Sequence, residues 1–145
     1  MDSPVPFTIP ASRPLKTAHD VAECKEAMVP VTEVLAQIGG KWTVYIVMAL
    51  SQGPMRFSEL LRHIEGVSQK MLTATLRDLE KDGFITRTVT PSIPPRVDYE
   101  LTDLGRELHE PLRTISTFAH NNRHRVHQAR QEFAEREAEA RRLAW

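Results

Sequence analysis

Apolar positions in the middle of the chain switch period several times, and each switch marks an element. From Lys41 to Leu50, the residues Trp42, Tyr45, Ile46, Ala49 and Leu50 recur at i, i+3, i+4, i+7 and i+8, while Val44, Val47 and Met48 fill the other sides. This predicts a helix buried nearly all round. Gly53-Pro54 closes it, and Phe57, Leu60, Leu61 and Ile64 then form one stripe of a second helix, with Arg56, Arg62 and His63 outside the stripe. Glu65-Gly66-Val67 is a turn about as short as that of a helix-turn-helix, and Ser68 offers a hydroxyl to cap the free amides of a third helix from about Gln69 to Asp82. After it the period falls to two. Phe84 to Thr90 is rich in β-branched side chains, and Val97, Tyr99 and Leu101 alternate with Arg96, Asp98 and Glu100, so both arms read as half-buried strands of a hairpin.

On the third helix Leu72, Leu76 and Leu79 share a core face, and Lys70, Ala74, Arg77 and Lys81 cluster opposite, with Thr73 at the flank. A basic face with a small residue at its centre lets a helix backbone come close to a phosphate-lined groove while longer side chains reach out. The same pattern also suits a solvated amphipathic helix. The tip of the hairpin, Pro91-Ser92-Ile93-Pro94-Pro95, lacks ladder donors and is stiff. Arg87 and Arg96 lie on its arms, where a wing can touch phosphate or enter a minor groove; an edge hairpin protected by proline against aggregation is the other reading. Helix, helix-turn-helix and hairpin, in that order, predict a mainly α fold with a small β-hairpin wing, a winged helix-turn-helix.

The flanks carry less information. Residues 1–17 hold Pro4, Pro6, Pro10 and Pro14 and no helical period, as in an extended arm. Val31, Val34, Leu35 and Ile38 make a short amphipathic helix. Beyond the hairpin, Thr102 can cap a helix bearing Leu104, Leu108, Leu112, Ile115 and Phe118 on one stripe, which Pro111 is expected to kink or interrupt. In a monomer this stripe would be an exposed apolar patch, so it is expected to dimerise. The expected organisation is an arm with a short helix over 1–29, the winged domain over 30–102, and a dimerisation helix with a charged tail over 103–145.

The formal net charge is zero, which makes the distribution of charge the deciding quantity. Lys plus Arg against Asp plus Glu runs 3 to 5 over residues 1–40, 8 to 6 over 41–98 and 8 to 8 over 99–145, so the small basic excess lies in the winged segment. Affinity for a polyanion would then rest on placed contacts and dimerisation rather than on a broad field. With 41% hydrophobic and 26% charged residues, no apolar run near the ~20 residues of a membrane span and no signal-peptide pattern, a single soluble cytoplasmic domain is expected. His120 and His124 are four apart, with His127 one short of repeating the step, but no carboxylate or Cys completes a ligand set. A solvated face is expected there, with no metal, cofactor or enzymatic activity.

Ile38-Gly39-Gly40-Lys41-Trp42-Thr43, Gly53-Pro54-Met55-Arg56-Phe57-Ser58-Glu59-Leu60, Ser68-Gln69-Lys70-Met71-Leu72-Thr73, Leu79-Glu80-Lys81-Asp82-Gly83 and Ile93-Pro94-Pro95-Arg96-Val97-Asp98-Tyr99-Glu100-Leu101-Thr102 together resemble the HxlR family of bacterial winged-helix regulators, relatives of the MarR group. The resemblance covers about Pro30 to Leu112. It implies a homodimeric transcription factor, a repressor by expectation, that binds a pseudo-palindromic operator with the third helix in the major groove and the wing alongside, and that dimerises through its terminal helices. It also implies that Arg56, opening the second helix, contacts phosphate. The candidate DNA-contacting set is Arg56, Ser68, Gln69, Lys70, Thr73, Ala74, Arg77, Arg87 and Arg96; the candidate dimer contacts are Leu104, Leu108, Leu112, Ile115 and Phe118. The resemblance also implies a candidate effector, an oxidant, an electrophile or a small-molecule ligand, since several relatives sense oxidants or electrophiles through an N-terminal cysteine, which in the common family pattern directly precedes the proline of the first helix. Here Val29 holds that place before Pro30, and the single cysteine, Cys24, lies five residues earlier beside Lys25, Glu23 and Glu26. Cys24 is therefore either a redox sensor or a structural thiol. A winged helix serving as a protein-protein module, without DNA, remains the alternative.

Overall fold

The computed structural model describes residues 18–145, and the chain divides into two units, Met1–Lys41 and Trp42–Trp145. In the first, helix α1 spans Ala18–Ile38 with Pro30 inside it. The short helix expected from Val31 therefore begins much earlier. Ala22, Ala27 and Met28 are strong helix formers, Pro30 removes only one donor, and the Thr32 hydroxyl donates to the Val29 carbonyl at 2.9 Å beside it. The arm expected over 1–17 lies outside the described residues, as does the side chain of Cys24.

The second unit contains α2 (Lys41–Leu50) from its second residue on, β1 (Met55–Arg56), α3 (Phe57–His63), α4 (Gln69–Lys81), β2 (Ile85–Thr90), β3 (Arg96–Leu101) and α5 (Asp103–Leu143). Its core collects Ile46, Val47 and Leu50 from α2, Leu60 from α3, Leu72, Leu76 and Leu79 from α4, Ile85, Tyr99 and Leu101 from the sheet, and Leu108 and Leu112 from α5. Each such side chain contributes about 1.5–3 kcal/mol on full burial. α2 is not buried all round as its composition suggested. Tyr45 is 52% exposed and leaves the core to Ile46, Val47, Ala49 and Leu50, its ring resting 6.0 Å from that of Trp42.

The sheet is antiparallel with strand order β1-β3-β2. β1 was not foreseen, because two residues display no period. The central position of β3 explains why Tyr99 and Leu101 are buried, whereas β2, at the edge, buries Ile85 alone and is exposed from Thr86 onward. The expectation of two half-buried arms thus holds for β3 only.

A tight joint seats the wing. α4 ends in a Schellman arrangement: Gly83, at φ +81°, donates to the Glu80 carbonyl at 3.1 Å, and Phe84 donates to that of Leu79 at 2.9 Å. Thr102 closes the joint from the other side. Its amide donates to the Phe84 carbonyl at 3.0 Å, its hydroxyl donates to that of Gly83 at 2.6 Å, and its oxygen caps α5 by accepting from the Gly105 amide at 3.1 Å. A Cβ on Gly105 would overlap the Phe84 carbonyl, so only glycine lets the first turn of α5 lie this close.

α5 runs unbroken through Pro111, contrary to the expected interruption. A missing amide removes one bond from a helix of 41 residues, and Gly105, Leu108 and Leu112, buried at i, i+3 and i+7, anchor the segment on both sides of the proline. The same burial corrects the expected dimer stripe. Leu112 is 2% exposed and Leu108 is also covered, both by the chain itself; Leu104, Ile115 and Phe118 remain exposed, Phe118 at 66%. Helix α5 first completes the core and only afterwards presents an apolar edge.

Candidate nucleic-acid interface

α4 owes its placement to a short cap. The oxygen of Ser68 accepts from the Met71 amide at 3.1 Å, starting the helix directly after the Glu65-Gly66-Val67 turn, while Val67 is buried beneath it. With Leu72, Leu76 and Leu79 inward, the opposite face carries Lys70, Ala74, Arg77 and Lys81, all exposed, and Asp78 and Glu80 fall to either side. Among the described residues, Lys70, Arg77 and Lys81 have neither a hydrogen bond nor an ion pair, so their charges are available to a ligand. Gln69 and Thr73 are exposed on the same helix, and the Thr73 hydroxyl donates back to the Gln69 carbonyl at 2.7 Å.

Arg56 is the last residue of β1 and the N-cap of α3, not the opening residue of a helix alone. Its amide donates to a Glu59 carboxylate oxygen at 2.8 Å, which ties the strand end to the first turn of α3. β1 sets Arg56 directly opposite Asp98.

The register of the wing separates its two arginines. Ile85 pairs with Leu101, Arg87 with Tyr99 and Val89 with Val97, while Thr86 pairs with Glu100, Thr88 with Asp98 and Thr90 with Arg96. Directly opposed residues of an antiparallel ladder share a face. Arg87 therefore belongs to the face that buries Tyr99 and Leu101 nearer the helices, and Arg96 to the opposite face with Thr88, Thr90, Asp98 and, through β1, Arg56. The sequence treated Arg87 and Arg96 as equivalent, and they are not. Arg96 is also held: its Nε donates to both Asp98 carboxylate oxygens, at 2.9 and 3.2 Å. That hydrogen bond, the charge of Asp98 and a smaller pull from Glu59 raise the Arg96 pKa above its ordinary value. The Arg96–Asp98 pair at i, i+2 was the one signal in the sequence for this contact, since alternate residues of a strand share a face. At the wing tip Ile93, between Ser92 and Pro94, is fully exposed.

The remaining candidates lie elsewhere. Ile115 and Phe118 sit on α5 beyond its buried turns, and His120, His124 and His127 are exposed further along the same helix. Among the described residues no group of three metal-ligating side chains comes together, and no helix is long and apolar enough to cross a membrane.

Residues 37–127 match a family model described as HxlR-like helix-turn-helix. The chain is 43% identical over 93 residues to the HTH-type transcriptional regulator YtfH of Escherichia coli K12, covering 64% of this chain and 74% of that protein. It is 42% identical over 105 residues to the HTH-type transcriptional regulator YtcD of Bacillus subtilis, covering 72% and 83%. Among solved structures, the redox regulator HypR in its reduced form superposes with a TM-score of 0.65 at 36% identity, over 68% of this chain and 98% of that one.

Proposed function

The chain belongs to the HxlR-like helix-turn-helix family of transcriptional regulators, and on that premise we propose that it represses transcription as a homodimer bound to a pseudo-palindromic operator. Helix α4 enters the major groove, with Lys70 and Arg77 reaching base edges or phosphates and Ala74 permitting close approach. Arg56 and the wing meet the flanking backbone. The observation that carries this reading is the outer face of α4, whose cations are exposed and unpaired in a chain of zero net charge. Cations kept free of internal partners at the centre of a helix-turn-helix are disposed for phosphate and base acceptors.

The test is selection of a duplex from a random-sequence pool, followed by binding titrations. Lys70→Ala and Arg77→Ala are each expected to lose about 1–3 kcal/mol of affinity for the selected duplex and to relax its sequence preference. Failure of the wild type to enrich any duplex favours the protein-protein module. Unchanged affinity in both variants removes α4 from the groove. The name of HypR as a redox regulator adds an arm to the same titration. Diamide should release the wild-type protein from DNA and spare Cys24→Ser; equal behaviour of the two discards the thiol as the effector site.

A further inference from the structure

We propose that Asp98, an acidic residue on the DNA-facing side of the wing, is a positioning residue for operator binding: it holds Arg96 through Nε so that Nη1 and Nη2 are presented to a backbone phosphate. The inference rests on the DNA-binding reading above and goes beyond it by giving a carboxylate a favourable part in binding a polyanion.

The geometry is specific. Asp98 lies on the central strand, where its neighbours across the sheet are Arg56 on β1 and Thr88 on β2, all on one face. Its two oxygens engage only the Nε of Arg96, at 2.9 and 3.2 Å, and no hydrogen bond among the described residues uses either Nη. The Arg96 side chain is 49% exposed while that of Asp98 is 24% exposed, so the carboxylate sits deeper and the guanidinium lies over it. A guanidinium offers donors in a rigid fork, and anchoring one edge directs the other. Without Asp98 the side chain of Arg96 would sample many rotamers, and binding a phosphate would cost the entropy of ordering it. Glu59 supports the arrangement by fixing the Arg56 amide at 2.8 Å, which holds β1 and its arginine beside Asp98.

The electrostatic field of the surface alone would act with the opposite sign. Removing a negative charge from a DNA-facing surface should strengthen binding to every duplex, whereas loss of positioning should weaken it. Asp98→Asn is therefore the deciding variant. On the duplex recovered by selection the dimer should bind about a hundredfold more weakly, about tenfold for each protomer, the scale of one charge-assisted hydrogen-bonding contact apiece. The dependence of log affinity on log salt should become shallower by about two units for a dimer, one phosphate per protomer. In an Arg96→Ala background, Asp98→Asn should cause no further loss. Arg96→Lys, which keeps the charge but has no Nη pair, should behave as Arg96→Ala. Thermal melting separates folding from binding, and if Asp98→Asn melts early, Asp98→Glu and Arg96→Lys carry the same comparison. Equal or tighter binding by Asp98→Asn, an unchanged salt slope, or an equal loss in the Arg96→Ala background would overturn the positioning role. Absence of any selected duplex for the wild type would instead overturn the DNA-binding reading itself.

Discussion

Gly105 shows how a single atom settles the relation between two elements. It opens α5 against the backbone of Phe84, and an added Cβ would overlap that carbonyl. Helix propensity alone favours alanine over glycine by about 1 kcal/mol. Overpacking against backbone costs about 1–3 kcal/mol, and a carbonyl that also accepts the Thr102 amide cannot rotate aside. The clash wins, so Gly105→Ala should lower the melting temperature by about 3–8 °C; a rise would mean that the first turn of α5 can shift without loss. Arg96 makes a parallel point about charge, because a residue that reads as a free wing cation is already committed at one edge to Asp98.

At the scale of elements, α5 is the part where local rules misled most. Proline in a helix interior costs about 3 kcal/mol relative to alanine, yet Asp103–Leu143 is continuous because Leu108 and Leu112 fasten it to the core around Pro111. Pro111 itself is exposed. Pro111→Ala should therefore stabilise the protein by about 2–2.6 kcal/mol, after allowing about 0.4–1 kcal/mol for the greater entropy of its unfolded chain. Thermal melting followed by circular dichroism measures it. A lower melting temperature would show that the proline shapes the seat of Leu112. The wing is the converse case, in which alternation in the sequence identified β3 correctly but could not reveal that β2 lies at the edge and is mostly exposed.

For the whole molecule, the apolar edge of α5 that remains after folding is the ground for the proposed dimer. Ile115 and Phe118 are three apart on one side of the helix, 50% and 66% exposed, directly beyond the turns that the core consumes. A symmetric dimer is the commonest closed solution for such a surface. Two coupled readers are also what half-sites roughly 34 Å apart require. Phe118→Asp should give a folded monomer that no longer binds the selected duplex tightly, because the core does not depend on it. Leu112→Asp would instead unfold the domain, since Leu112 is buried within the chain. Sedimentation distinguishes these outcomes, and a wild-type monomer at micromolar concentration would refute the assembly.

The sequence by itself determined whatever is periodic within one element: the three inner helices, the leucine face of α4 and its basic reverse, the Ser68 and Thr102 caps, and the existence of a proline-tipped hairpin. These follow from spacing along the chain, and so did the family resemblance, because its motifs are local. Tertiary structure decided what depends on partners distant in sequence. Two residues of β1 acquire meaning only by pairing with β3, which brings Arg56 opposite Asp98. The register of β2 on β3 sends Arg87 and Arg96 to opposite faces. Packing of α5 on the core divides one apolar stripe into Leu108 and Leu112 inside and Ile115 and Phe118 outside. In each case the sequence supplies a surface, and the free energy of burying it depends on which other surface arrives, which no period along a single element encodes.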